Sequence, residues 1–278
     1  MSIAQNRFCI NRKIAPNLSI ERFFHLVNKC GLNKVELRND MPSRKVADEL
    51  TTAQLNSLAD EYDIEIVTIN ALQYFNLPEH SSALLQEAEE MLKQAQEIHC
   101  HGIILCPNCS ANDRRSAEQK EQDTLDALLL LAPLFKKYQI TGLVEPLGFG
   151  ISSLRSHLLA QSIIRKSVAP YKIVLDTFHY YLSDIDKAEF DAHIDVNTIG
   201  LVHLSGVEET RLKSTLADED RIMLSDKDKL NSKQQVRNLE RLGYQGIYAF
   251  EPFSSQLNTW SEADIEREIR KSIAYLQN

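Results

Sequence analysis

The sequence contains no apolar run approaching membrane-spanning length and no excess of basic charge. The first absence leaves no candidate transmembrane helix. The second follows from 31 Lys and Arg against 39 Asp and Glu, a formal charge of −8. A basic face supplies most of the affinity of proteins that bind nucleic-acid backbones, so such partners are not expected. The opening residues MSIAQNRFCINRK are too polar for a secretory signal. Cysteines are only five, an odd number in a long chain, which points to reduced thiols and a cytoplasmic setting rather than a disulfide framework. No G-x-G-x-x-G follows the first strand candidate, which counts against a dinucleotide-binding sheet.

What is present is the mix of a globular protein, 43% hydrophobic and 25% charged over 278 residues. That length suits one large domain or two ordinary ones and supports a full core without a disulfide or metal. Short apolar segments alternate with amphipathic ones throughout: RFCIN, KVELR, EIVTINAL, GIILCPN, TGLVEPL, KIVLDTFH, GLVHLSG and IYAFEPF each precede a helical or partly helical stretch. Helices are expected over SIERFFHLVNKC with Gly31 as its C-cap, from about Thr52 to Tyr62, up to about His101, and from about Ser116 to Tyr138. Others are expected over Leu158 to Lys166, Lys233 to Leu242 and Glu262 to Leu276, the last capped by Ser261. The Leu128 to Leu131 run reads as buried, and Glu189 to Val196 is poorly patterned. Eight β-α units argue for a closed (β/α)8 barrel occupying residues 1–278 as a single domain, with a doubly wound open sheet as the alternative. The longest irregular stretch, VEETRLKSTLADEDRIMLSDKDKL, lies between strand seven and its helix and is expected to be functional or mobile.

In such a barrel, catalytic groups gather where strands end. Strand five ends LVEPLG with Glu145, strand six LDTFH with Asp176 and His179, strand seven LVHLSG with His203, and strand eight AFEPF with Glu251. Three carboxylates converging without compensation repel and raise one another's pKa. A divalent cation removes that conflict. Three oxygen donors and an imidazole suit Mn²⁺ best, with Mg²⁺, Co²⁺ and Zn²⁺ as alternatives. Glu145, Asp176, His203 and Glu251 are thus the expected metal ligands, with His179 behind them facing substrate. Glu36 and Arg38 at the end of strand two, Asn70 at the end of strand three and Arg221 in the long loop are further candidates to line the pocket. Each has an ordinary structural reading as an ion pair, a turn residue or a solvated charge. The CPNC stretch at Cys106 to Cys109 lacks a second C-x-x-C and is expected to be structural, neither redox-active nor a zinc site. The HCH tract at His99 to His101 falls at the opposite barrel face, and His25 is expected to be packed within its helix.

VELRNDMPS, TINALQYFN, LVEPLGF, VLDTFHYY, LVHLSGVEET, LADEDRIM and FEPFSSQLNTWSEADI follow one another in an order that resembles the xylose isomerase-like TIM-barrel superfamily. Within it they resemble the inosose isomerases of inositol catabolism. The resemblance covers nearly the whole chain. It implies one divalent metal held by Glu145, Asp176, His203 and Glu251, with the two glutamates as proton shuttles and His179 in contact with substrate. Where related ketose 3-epimerases carry a second Glu and an Arg, this chain has Ile151 and Glu209, with Arg211 close by as a substituting substrate contact. These departures favour an inosose-type substrate over a ketohexose. The expected reaction moves a carbonyl between adjacent carbons of a keto-polyol through an enediolate: 2-keto-myo-inositol to 1-keto-D-chiro-inositol. The metal acts as Lewis acid and a carboxylate as base. The expected partner is that small molecule, with no nucleic acid or membrane, and the chain a monomer or homodimer. A ketose 3-epimerase is the nearest alternative. A nuclease of the endonuclease IV type would need histidines at Asn70, near Cys106 and at Ile222, where none stands, and a non-catalytic sugar-binding barrel would not need the ligand quartet.

Overall fold

A computed structural model describes residues 3–167 and 169–278. Eight parallel strands close on themselves in sequence order, each pairing with the next and β1 with β8. They are β1 (Phe8–Asn11), β2 (Lys34–Arg38), β3 (Glu65–Leu72), β4 (Gly102–Leu105), β5 (Thr141–Val144), β6 (Tyr171–Asp176), β7 (Ile199–Leu204) and β8 (Ile247–Phe250). Around them run α1 (Ile20–Lys29), α2 (Thr52–Glu61), α3 (Ser81–Glu97), α4 (Ala117–Tyr138), α5 (His157–Ser167), α6 (Thr177–Leu182), α7 (Lys187–His193), α8 (Ser232–Arg241) and α9 (Glu262–Gln277). The expected (β/α)8 barrel is borne out. Among the described residues no helix is long and apolar enough to cross a membrane.

The caps follow the local chemistry. Ser19, Thr51, Ser116 and Ser261 each accept a backbone N–H in the first turn of their helix, and Gly31 takes the positive φ that ends α1. Three sequence expectations change. In α4, Leu128 and Leu131 are buried, but Leu129 and Leu130 are 46% and 39% exposed, because four consecutive residues span more than a full helical turn. His25 is likewise exposed and meets the Tyr62 ring edge-on instead of entering the core. The stretch after β6 holds two short helices, and α6 begins directly on the last strand residue, Asp176.

Two apolar layers result from the period of two along each strand. Outward residues such as Ile173, Leu175, Val202 and Leu204 join the large core beneath the helices. Inward residues form a smaller cluster that includes Cys9, Ile104, Leu143, Val174, Leu201 and Ala249. Two positions beyond these, on the same inward face, stand Asn11, Cys106, Glu145, Asp176, His203 and Glu251. The strand pleat therefore sets a polar layer immediately above an apolar floor at the C-terminal mouth.

Candidate metal centre

Neighbouring strands hold the quartet in register. Asp176 pairs across the sheet with His203, and His203 with Ala249, two residues before Glu251. One donor atom from each of Glu145, Asp176, His203 and Glu251 lies within 4.8 Å of every other, and all four residues are buried. His203 Nδ1 faces Glu145 Oε1 at 2.8 Å and Glu251 Oε2 at 3.1 Å, with Asp176 Oδ2 at 4.0 Å. On the other side of the ring, Nε2 meets Glu36 Oε2 at 3.1 Å. Glu36 is itself held by Thr68 Oγ1 at 2.6 Å and Asn11 Nδ2 at 3.2 Å. A carboxylate behind a histidine fixes its proton on the far nitrogen and leaves the near one as a donor to metal.

The remaining carboxylate oxygens are also engaged. Asp176 Oδ1 accepts from the backbone N–H groups of Phe178 and His179 and so caps α6, while Oδ2 accepts from Arg221 Nη2 at 2.5 Å. Glu251 Oε1 accepts from Arg38 Nη1 at 2.7 Å, Asn70 Nδ2 at 2.9 Å and Asn11 Nδ2 at 3.2 Å; Oε2 accepts from Arg221 Nη2 at 2.9 Å. Glu145 is freer: among the described residues its Oε2 has one hydrogen-bond partner, the Cys106 thiol at 3.6 Å.

A divalent ion fits this donor set on charge. Four buried carboxylates (Glu36, Glu145, Asp176, Glu251) face two buried guanidiniums (Arg38, Arg221), which leaves two negative charges. The same demand appears in His203. Burial opposes its protonation, yet Glu251, Glu36 and Glu145 raise its pKa well above the usual imidazole value. Burial also pushes the Asp176 carboxyl up, partly offset by Arg221. For Glu251 the balance reverses: burial favours the neutral acid, but His203, Arg221 and Arg38 hold it well below the usual range. The donors are those of a borderline-hard ion, three carboxylates with one imidazole.

Above the quartet lies a cavity of about 160 Å³, lined in part by Arg38, Asn70, Cys106, Glu145, His179, Arg221 and Glu251. Of the residues expected to meet substrate, Arg38, Asn70, His179 and Arg221 border it. His179 packs edge-on against Phe149 and Phe178, and its buried Nδ1 has no partner among the described residues. Burial and then Arg221 hold its pKa down to about 4, so the ring is neutral at ordinary pH. Arg221 is buried rather than part of a solvated cluster. Its backbone oxygen accepts from Phe253 and Ser254, and its guanidinium lies 4.3 Å from the Phe253 ring centroid. The long loop is thereby fastened to the segment after β8, and a Gly206–Ile222 bridge closes its base.

Two expected substrate contacts lie elsewhere. Glu36 sits beneath the quartet, fully buried against His203. Arg211 has a side chain 47% exposed and pairs with Asp220 on the outside of the loop. Conversely, Asn11 and Cys106 join the site though neither was expected there. Their signal was the position two residues beyond an inward apolar residue, the same offset that relates Leu143 to Glu145. Within CPNC only Cys106 reaches the cavity; Cys109 is half-buried and both thiols are free. At the opposite face His101 pairs with Glu65, as a structural tract would.

These features define a parallel barrel that gathers three carboxylates and one imidazole at its C-terminal mouth. The chain belongs to the xylose isomerase-like TIM barrel family, whose model matches residues 24–278. It is similar to a xylose isomerase domain containing protein from Salmonella typhimurium LT2, with 51% identity over 100% of both chains and a TM-score of 0.94. The IolI protein, solved with a zinc atom bound, shares 18% identity over 97% of each chain, TM-score 0.87. A 3-keto-D-glucoside 4-epimerase from E. coli shares 14% over 98% of each chain, TM-score 0.71. At those two identities the likeness is one of fold alone. No match was found among curated proteins.

Proposed function

We propose that this chain is a divalent-metal-dependent isomerase of a keto-polyol, interconverting 2-keto-myo-inositol and its 1-keto-D-chiro isomer through an enediolate. The observation that carries the reading is the convergence of Glu145, Asp176, His203 and Glu251 beneath a small polar cavity, with one carboxylate oxygen, Glu145 Oε2, held by no more than a thiol among the described residues. The zinc seen in the IolI protein and the epimerase activity of the E. coli neighbour support the same class of chemistry.

The four residues would hold one divalent ion, Mn²⁺ by preference, which when bound supplies Lewis acidity to a carbonyl and its neighbouring hydroxyl. The chain's own groups account for the proton transfers. Glu145 Oε2 is the assigned base at carbon, because Oε1 is the oxygen turned toward His203 Nδ1 and the other donors, while among the described residues Oε2 meets only a thiol. General-base help of this kind contributes roughly 10²–10⁴-fold. Glu251 stands across the cavity as the second carboxylate, clamped by Arg38, Asn70 and Arg221 so that it stays ionised and in place. His179, neutral and with an unpartnered nitrogen, is suited to exchange a hydrogen bond with a substrate hydroxyl.

The test is turnover of 2-keto-myo-inositol in D₂O by metal-loaded protein. Formation of the 1-keto isomer with deuterium at the carbon beside the carbonyl is expected, without nicotinamide. The Glu145→Gln protein should lose at least 100-fold in kcat. Epimerisation of a free ketose at carbon three, with no reaction of inosose, would keep the family reading and replace the substrate. Inactivity on both, with cleavage of abasic DNA, would overturn it.

A further inference from the structure

Every nitrogen of the cavity's two arginines already has a partner. Arg38 spends Nε and Nη2 on Asp40, at 2.7 and 2.9 Å, and Nη1 on Glu251. Arg221 spends Nη2 on Asp176 and Glu251, Nε on Ser205 at 3.2 Å and Nη1 on Asp218 at 3.1 Å. Asp40 and Asp218 both border the cavity. Unlike the buried carboxylates below them, they stand at the rim, with side chains 42% and 48% exposed over guanidiniums that are 3% and 2% exposed. Burial raises the pKa of Asp40, but its bonds with Arg38 bring it below the usual carboxylate value.

The charge count gives this rim its meaning. Four buried carboxylates balance two guanidiniums and one divalent ion. Asp40 and Asp218 are then surplus, two negative charges beside the entrance. Lys13 offsets part of this from outside: its ammonium lies 5.1 Å from the centroid of the Phe253 ring, and it is not among the lining residues. A phosphate or carboxylate entering the cavity would meet like charge and find no free arginine fork, the usual recognition element for such groups. A neutral polyol suffers neither penalty, and its hydroxyls can bond to the amides of Asn70 and Gln73.

We infer that Asp40 and Asp218 are specificity-determining residues that reserve the cavity for uncharged substrates and turn away phosphorylated or acidic ones. The inference rests on the proposed reading of the cavity as the substrate site. Its test reads binding without turnover, so inactivity toward keto-polyols leaves it standing. Sodium sulfate is the probe, titrated calorimetrically at constant ionic strength into metal-loaded wild type and into the Asp40→Asn/Asp218→Asn protein. The double variant should bind sulfate at least 10-fold more tightly than wild type. Asp218→Asn alone, at a side chain 48% exposed, should give part of that gain and serves if the double variant does not fold. Equal sulfate affinity in wild type and variant, whether both bind or neither does, would overturn the inference.

Discussion

Replacing Glu36 with Gln should weaken divalent-metal binding roughly 10- to 100-fold, about 1.4–2.7 kcal/mol, the usual result of losing the partner behind a histidine ligand. The geometry shows why a near-isosteric change is enough. Glu36 Oε2 accepts from Thr68 and His203, and Oε1 accepts from Asn11. A carboxylate accepts at both oxygens, whereas an amide accepts at one and donates at the other. With the Gln oxygen toward His203, its NH₂ faces the Asn11 amide. Asn11 does not turn over without loss, because its oxygen already accepts from the Lys13 N–H at 2.9 Å. With the amide reversed, NH₂ faces His203 and drives the imidazole proton to Nδ1, the nitrogen directed at Glu145 and Glu251. One hydrogen bond or the ligand tautomer is lost in either case, along with a buried negative charge. Calorimetric titration with Mn²⁺ and Zn²⁺ measures the effect, with circular dichroism to show the fold retained. Metal affinity within twofold of wild type would refute this account of Glu36. Normal metal binding with a loss confined to substrate affinity would return Glu36 to the role first expected of it.

His203→Ala should keep the barrel, which has its own apolar core, and lose bound metal by elemental analysis. Asp176→Asn should lower stability by about 1–3 kcal/mol in a denaturant melt, because the buried Arg221 then faces an amide, and should weaken metal as well. His179→Ala should spare metal binding and still impair turnover; loss of metal with full activity after reloading would refute its assignment to substrate. A separate test uses His157, fully buried with neither ring nitrogen partnered among the described residues. Burial holds its pKa down to about 3, against an ordinary 6.5. Below pH 6.5 the unfolded chain takes up a proton that the native chain refuses until about pH 3, so stability falls as pH falls through that window. At pH 5 the cost is about 2 kcal/mol. His157→Phe should remove this dependence, so urea midpoints at pH 7 and pH 5 should lie closer together than in wild type.

The alternation of apolar and amphipathic segments determined the barrel by itself, because strand and helix periods are local and eight repeats leave few ways to close a sheet. The quartet was equally legible: Glu145, Asp176, His203 and Glu251 each stand two residues beyond an inward apolar strand residue, so topology alone brings them to one rim. Tertiary structure decided what lies behind and around them. Glu36 and Arg38 are two residues apart on one inward face, but the pleat and barrel tilt put the first beneath His203 and the second in the cavity wall. Arg211 and Arg221 belong to one charged loop. Only the packing of residue 221 against Phe253, with its backbone bound to the segment after β8, turns one inward and leaves the other outside. Cys106 resembled half of an unpaired motif, and its place beside Glu145 depends on β4 and β5 being neighbours. Sequence patterning fixes which face a residue occupies, since that is set by bonds along the chain. Depth within that face, and the partner met there, depend on groups brought together from more than 200 residues apart, as when Arg38 reaches Glu251.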